Sequence, residues 1–170
     1  MNPQELQQCL VEKLVPIIST NNGLPFFARR RSKFEAWLKV ELCSIFKDDH
    51  PEPEWEHFDI KLDDWIIELK TVNNSYVIHD QDVNNIIRPI TDNINSIIKD
   101  IEKLQNRRDI RNYHRGVIFI AFPFDQSNLN HEPWQEHIAR IQERLNLSPA
   151  IQFQFYNTQI YGQIYLGWLN

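Results

Sequence analysis

The sequence predicts a mixed α/β (α+β) domain, and three stretches of the chain support that prediction. Residues 58–72 alternate between apolar and polar side chains around a short acidic turn, which is typical of a two-stranded hairpin. An isoleucine stripe at helical spacing predicts a long helix over about 88–106. Residues 116–122 form a continuous apolar run, as expected for a strand covered on both faces. The chain has 170 residues and is 42% hydrophobic, so we expect one domain over residues 1–170.

The chain begins with a predicted helix. Asn2 suits its N-cap and Pro3 its first helical position, and Leu6, Leu10, Leu14 and Ile17 follow at helical spacing. Residues 19–25 are predicted to form a loop.

The second helix is expected to begin at Ser32, because Ser32 and Glu35 match the S-x-x-E capping box. Its apolar face comprises Phe34, Trp37, Leu38, Leu42 and Ile45. Glu41 falls near the middle of that face. A buried carboxylate is costly unless it is paired or binds a metal, so Glu41 is a candidate site residue. The alternative is a carboxylate that a core tyrosine, tryptophan or lysine satisfies. Because Glu35 already has a role in the cap, we expect Glu41 and not Glu35 to face the site.

The hairpin takes its register from the turn at Asp63 and Asp64. The expected pairs are Leu62 with Trp65, Ile60 with Ile67, and Asp59 with Glu68. Side chains alternate across a strand. One face should therefore be apolar, with Phe58, Ile60, Leu62, Trp65, Ile67 and Leu69. The other should carry Asp59, Lys61, Ile66, Glu68 and Lys70.

This register places two like charges opposite each other. Asp59 and Glu68 would repel unless a cation lies between them, and Lys70 can neutralise only one of them. A hard divalent cation with oxygen ligands would remove the conflict. The alternative is a charged ladder on a solvated sheet face, neutralised by Lys61 and Lys70.

The remaining elements follow the hairpin. Residues 48–56 are predicted to be an acidic, proline-containing loop before it, and residues 76–79 a third strand after it. The stripe of the long helix runs from Ile86 to Leu104, and we interpret it as core. A coiled-coil seam of a homodimer is the alternative. A helix over 134–145 and two strands, 151–155 and 161–169, complete the chain.

Two groups of basic residues are candidates for binding a phosphate backbone. The first precedes the second helix and comprises Arg29, Arg30, Arg31 and Lys33. The second lies before the buried strand, with Arg115 as its last arginine. A solvated surface patch is the alternative for such a run.

Several classes of protein are excluded. No apolar run is long enough to cross a bilayer, so we expect no membrane association. Cys9 and Cys43 lack metal-site spacing and are expected to be reduced thiols in a cytoplasmic protein. The net charge of −5 argues against a general nucleic-acid coat protein. There is no glycine-rich phosphate loop and no nucleophile elbow.

The order Asp59, then Glu68-Leu69-Lys70 on the next strand, resembles the motif of the PD-(D/E)xK nuclease superfamily. Phe58 stands where that motif has proline. The resemblance covers about residues 32–122. It implies a restriction-endonuclease-like αβββαβ core, with a central mixed sheet flanked by helices. The first helix, the last helix and the last strand pair would be additions.

The resemblance also implies a function, a Mg²⁺-dependent nuclease with DNA favoured as substrate and Mn²⁺ able to replace Mg²⁺. Asp59, Glu68 and the Leu69 carbonyl would hold the ion, and Glu41 would hold a second ion or a water. Lys70 would orient or deprotonate the attacking water. The alternative is a catalytically inactive nucleic-acid-binding or protein-interaction module on the same fold.

Overall fold

The computed structural model describes residues 1–79, 82–85 and 89–169. Its strands are β1 (Pro51–Pro53), β2 (Ile60–Leu62), β3 (Trp65–Asn73), β4 (His114–Phe124), β5 (Asn146–Leu147), β6 (Ile151–Gln154) and β7 (Tyr161–Trp168). They form one sheet in the order β1-β2-β3-β4-β7-β5, and β6 also pairs with β7. β3 and β4 are parallel, whereas every other pair is antiparallel. The predicted mixed sheet is therefore confirmed.

The helices are α1 (Pro3–Cys9), α2 (Val15–Thr20), α3 (Leu24–Arg30), α4 (Glu35–Ile45), α5 (Ile90–Asn106) and α6 (Glu132–Gln142). A π-helical segment, Leu10–Leu14, joins α1 to α2. Asn2 caps α1 through a capping box with Glu5, and Pro3 is its first residue, as expected. No helix of the described residues is both long and apolar enough to cross a membrane.

The helices cover the two faces of the sheet and form two apolar clusters. Residues of α1–α4 pack with Ile67, Leu69 and Ile118 on one face. Residues of α5 and α6 pack with Ile66, Val117 and Phe119 on the other. The expected alternation of the hairpin is confirmed along β2 and β3. Phe58 is the exception, because it precedes β2 and lies in the cluster beside α5.

Helix α5 is the crossover that a parallel pair requires between β3 and β4. The described part of its stripe is buried: Ile90, Ile94, Ile97, Ile98, Ile101 and Leu104. The core interpretation is confirmed and the coiled-coil seam is wrong, because the sheet already covers these side chains. Ile86, Ile87 and the expected helix start at 88 lie outside the described residues.

Two loop predictions are wrong. Helix α3 begins at Leu24, inside the predicted loop 19–25, because the Asn21 carboxamide oxygen accepts the N–H groups of Gly23 and Leu24 and starts the turn. Residues 51–53 pair with β2 as strand β1, inside the predicted loop 48–56.

The third strand predicted at 76–79 does not form. Its backbone groups are bound by side chains in place of a neighbouring strand. The Asn85 carboxamide accepts the N–H of Ile78 and donates to its carbonyl, and the Arg31 guanidinium donates to the Tyr76 carbonyl. The third strand of the core is β1 instead, and it precedes the hairpin.

The C-terminal part agrees with expectation. Helix α6 covers most of the predicted range 134–145, and β6 and β7 form the predicted strand pair. The chain order of the central part is thus α4, β1, β2, β3, α5, β4.

Candidate active site

The site lies along the edge of β3 beyond the short strand β2. The register of the hairpin is as predicted, with Ile60 opposite Ile67 and Leu62 opposite Trp65. Because β2 begins at Ile60, opposite Ile67, the part of β3 after Ile67 has no strand beside it on that side. Side-chain carboxylates take up its backbone N–H groups instead. Asp59 Oδ2 accepts the N–H of Leu69 at 2.8 Å, and Glu35 Oε1 accepts that of Thr71 at 3.0 Å.

Asp59 and Glu68 share a hydrogen bond between their carboxyl groups. Asp59 also binds Lys39 of α4, with 2.7 Å between Oδ1 and Nζ. Burial acts to raise the pKa of Asp59, but hydrogen bonds from Lys39 and the Leu69 N–H outweigh it and hold that pKa below its usual value. Asp59 is therefore the more acidic of the two groups, and it accepts the hydrogen bond from the carboxyl group of Glu68.

Glu68 is 4% exposed and pairs with Lys103 of α5. Burial raises the pKa of Glu68 to about 7, and the hydrogen bond to Asp59 adds to this although Lys103 opposes it. The Lys103 ammonium also lies 4.6 Å from the centre of the Phe58 ring and donates to the His57 carbonyl. The pKa values of the two carboxyl groups are thus moved apart, and Glu68 is the one that holds its proton more readily.

Lys70 lies on the same face of β3 as Glu68 and extends toward α5. Its Nζ lies 3.0 Å from Oδ2 of Asp100. Burial acts to lower the pKa of Lys70, but the ion pair with Asp100 outweighs it and keeps that pKa above its usual value. Lys70 is therefore a protonated ammonium and suits charge stabilisation better than proton abstraction.

The site contains residues that the sequence analysis did not assign: Glu35, Lys39, Asp100 and Lys103. Asp100 and Lys103 are three apart on α5, so they share one side of the helix and reach Lys70 and Glu68. Their position beside the isoleucine stripe was a usable signal, because a charge at the border of a buried helix face is normally paired. Glu35 and Lys39 are four apart on α4 and share a side in the same way.

The structure places Glu35, not Glu41, at the site. Helix α4 begins at Glu35 after Phe34, without a side-chain cap, so the predicted capping box with Ser32 is wrong. Glu35 binds the Thr71 N–H instead. Glu41 is about 200° around the helix from Lys39. It is half-buried, and no described residue forms a hydrogen bond or ion pair with its side chain.

The basic residues have three different environments. Arg30 and Lys33 are exposed, and Lys33 Nζ is 3.9 Å from Glu35 Oε1. Arg29 lies 4.0 Å from Asp82. Arg31 is not a free surface arginine. Its guanidinium donates hydrogen bonds to Asn84 O, Asn74 O, Tyr76 O and Asn85 Oδ1. These bonds hold the loop after β3 in place.

Arg115 is far from the basic residues that precede α4. It lies opposite Ile66 of β3. Ile66 is seven residues, or about 23 Å along the strand, before Asn73, which binds the Arg31 carbonyl. Arg115 lines a separate cleft with Arg111, Arg144 and Trp168, at the ends of α5 and α6. The two basic groups therefore do not form one patch.

The donor set fits a hard divalent cation with few protein ligands. Asp59 and Glu68 supply two adjacent carboxyl groups. The Leu69 carbonyl points to the same edge as its N–H, which Asp59 binds. Mg²⁺ is commonly held by one or two carboxylates plus waters and substrate phosphates. No group of three or more His, Cys, Asp or Glu residues converges in the described part of the chain, so a cage made only of side chains does not fit.

Comparison of the chain with models of protein families, with curated proteins and with solved structures found no match.

Proposed function

We propose that this protein is a Mg²⁺-dependent nuclease that hydrolyses phosphodiester bonds, with DNA as the favoured substrate. The observation that carries the proposal is the meeting of Asp59, Glu68 and Lys70 at the edge of β3. Asp59 binds the backbone of β3 next to Glu68, and the Lys70 ammonium, which pairs with Asp100, lies on the same strand two residues after Glu68. The proposal rests on this chemistry and on the motif, not on relatives.

The order of the elements supports the proposal. The chain order α4, β1, β2, β3, α5, β4 is the αβββαβ order that the motif resemblance implies. The aspartate comes directly before the second strand and the Glu-x-Lys segment is on the third. A restriction-endonuclease-like fold is therefore part of the proposal.

Each site residue has a role that its environment suits. Asp59 and Glu68, with the Leu69 carbonyl, would hold Mg²⁺, and Mn²⁺ would bind the same oxygen ligands. When bound, the ion supplies a Lewis acid and lowers the pKa of a bound water. The Lys70 ammonium would orient that water and offset the charge on the phosphate, while Asp100 holds Lys70 in place.

The lysines beside the carboxylates have a role in the metal-free protein. Lys39 and Lys103 neutralise Asp59 and Glu68, which would otherwise repel each other. An arriving cation would replace them as the counter-charge. Glu35 would position the end of β3 through the Thr71 N–H, without acting on the substrate.

Incubation of a supercoiled plasmid with the protein tests the proposal. We expect nicking or linearisation with Mg²⁺ or Mn²⁺ and none with EDTA. Asp59→Asn and Lys70→Ala should abolish cleavage, whereas Lys61→Ala should keep it. Lys61 is the matched control because it is on the same hairpin and pairs only with Glu52 among the ion pairs of the described residues. Equal cleavage by the Lys70→Ala and wild-type proteins would contradict the proposal.

One observation favours the second candidate, an inactive nucleic-acid-binding or protein-interaction module. Asp59, Glu68 and Asp100 each already have a lysine partner, as in a purely structural charge network. The two candidates differ in their response to metal. A module would bind a partner equally well in EDTA and in Mg²⁺, and its melting temperature would not change with Mg²⁺.

A further inference from the structure

A narrow cleft lies where β3 ends, next to the candidate site. It has a volume of about 320 Å³ and is lined by Arg30, Ser32, Lys33, Asn73, Asn74 and Asn84, together with Arg31. We call it the β3-end cleft. It continues the site along the strand, because Lys33 is 3.9 Å from Glu35 and Glu35 binds Thr71, one residue after Lys70.

The charge of Arg31 in this cleft has no anionic partner. The guanidinium is half-buried, and all its hydrogen bonds are to neutral oxygen atoms of the loop after β3. Among residues 1–79, 82–85 and 89–169, no carboxylate forms an ion pair with it. Buried charges are normally paired, so a half-buried cation with only neutral acceptors creates a positive potential in the cleft.

Two further cations reinforce that potential. Arg30 is exposed, and the Lys33 side chain is 48% exposed at the cleft. Glu35 neutralises Lys33 only weakly, because 3.9 Å is near the limit for an ion pair and both groups are accessible to solvent. The cleft therefore favours an anion, although the whole chain has a net charge of −5.

Asn73 adds a requirement that a bare anion does not meet. Its side-chain Oδ1 is buried and has no hydrogen-bond partner among the described residues, while Nδ2 donates to the Arg31 carbonyl. An oxygen acceptor needs a donor, and phosphate oxygens only accept. A nucleotide offers both groups, since its phosphate accepts hydrogen bonds and its base carries amino donors.

We infer that the β3-end cleft binds a backbone phosphate, with its adjoining nucleotide, of the strand that the site cleaves. Lys70 and Asn73 are three residues apart, about 10 Å along β3. The bound phosphate is therefore a neighbour of the scissile phosphate on the same strand, and not the scissile phosphate itself. The inference rests on the proposed function for the position of the cut, and on the cleft alone for binding.

Binding is tested without cleavage, in EDTA, by fluorescence anisotropy with a labelled single-stranded oligodeoxynucleotide of about 12 nucleotides. The variants Lys33→Ala and Arg30→Ala are compared with wild type over a salt series. Each should weaken binding about 3- to 10-fold and reduce the slope of log K against log salt by about 0.7, the value for one lost phosphate contact on a single strand. Asn73→Ala should weaken binding and leave the slope unchanged, because it removes a neutral acceptor.

Lys47→Ala is the matched control, since Lys47 is an exposed lysine just beyond the other end of α4. It should bind like wild type. The inference is overturned if Lys33→Ala and Arg30→Ala behave like Lys47→Ala, or if wild-type protein binds no oligonucleotide. Competition identifies the source of the phosphate. If inorganic phosphate or a mononucleotide displaces the oligonucleotide at equal concentration, the cleft binds a small anion and not a nucleic-acid strand, which contradicts the inference.

Cleavage in Mg²⁺ separates this inference from the proposed function. Lys33→Ala should raise KM for a long substrate and leave a dinucleotide substrate unaffected, because the dinucleotide is too short to reach the cleft. A protein that binds through the cleft but cleaves nothing would refute the nuclease alone. A protein that cleaves with identical KM for Lys33→Ala and Lys47→Ala would refute the cleft alone.

Discussion

The ammonium of Lys70 lies 3.0 Å from Oδ2 of Asp100, so a helix that crosses the sheet holds the lysine of the hairpin. Without Asp100, burial would lower the pKa of Lys70. The charge on the lysine therefore depends on a residue 30 positions away in the chain.

Asp100→Asn should weaken the proposed activity through Lys70. The variant leaves the ammonium buried without its counter-charge, so the pKa of Lys70 falls. We expect kcat to fall about 10- to 100-fold, as for a misplaced catalytic group, and the alkaline limb of the pH profile to move to lower pH. Asp92→Asn, an exposed aspartate in the first turn of the same helix, is the control. An unchanged alkaline limb would show that Asp100 does not set the charge of Lys70.

Glu68→Gln should stabilise the metal-free protein at high pH. The pKa of Glu68 is raised from 4.5 to about 7 in the folded protein, so the folded state binds more protons than the unfolded state between these values. Stability therefore falls as pH rises through that window. At pH 8 in EDTA, the variant should gain up to about 3 kcal/mol in free energy of unfolding, and at pH 4 almost nothing. Urea unfolding at both pH values measures this, with the exposed Glu143→Gln as control.

Asp59→Asn should have the opposite effect at pH 8. The pKa of Asp59 is held below its usual value, so its charged form stabilises the folded state above the unfolded pKa, and this stabilisation is lost as pH falls. The variant also leaves Lys39 with Glu54 as its remaining carboxylate partner. We expect a loss of about 1–3 kcal/mol in EDTA, measured by the same urea method. A gain in stability would mean that repulsion from Glu68 dominates at Asp59.

Metal binding should be linked to the proton on Glu68. An ion that binds only the folded protein raises the melting temperature, and binding at a hundred times Kd stabilises by about 2.7 kcal/mol. Because Glu68 must lose its proton first, we expect Mg²⁺ and Mn²⁺ to raise the melting temperature more at pH 8 than at pH 6. Asp59→Asn should lose most of the increase, and Glu41→Gln should keep it. If neither ion changes the melting temperature at pH 8, the metal site is refuted.

Glu35→Ala and Glu41→Ala distinguish the two glutamates of α4. Glu35 accepts the Thr71 N–H in a part-buried position, so its loss should cost about 1–3 kcal/mol. Glu41 has no such partner among the described residues, and its replacement should change stability by less than about 0.5 kcal/mol. Thermal and urea unfolding of both variants checks the order. Equal losses would mean that the Glu35 carboxylate contributes nothing specific.

The hairpin was predictable because its information is local. A short turn fixes which residues face each other, and alternation then fixes the faces of Glu68 and Lys70. The register and the burial of the isoleucine stripe both followed from patterns within single stretches of the chain.

The surroundings of the hairpin were less predictable, because they depend on contacts between distant residues. Helix α4 is buried over a wide arc, including Leu38, Leu42 and partly Trp37, so its apolar face alone did not show which carboxylate turns toward β3. Arg31 resembled a surface residue within an arginine run. Its partners are more than 40 residues away, in a loop whose sequence resembles a strand.

The charges at the site have a consequence for how a metal ion and the substrate would bind. Asp59, Glu68 and Asp100 pair with Lys39, Lys103 and Lys70 in turn, so each of these carboxylates already has a positive counter-charge. A divalent ion entering such a cluster would leave excess positive charge, which a phosphodiester of the substrate would neutralise. Ion and substrate would then each raise the affinity for the other by the same factor, because coupling between two ligands is reciprocal. Neither would need to bind tightly alone for the pair to assemble together.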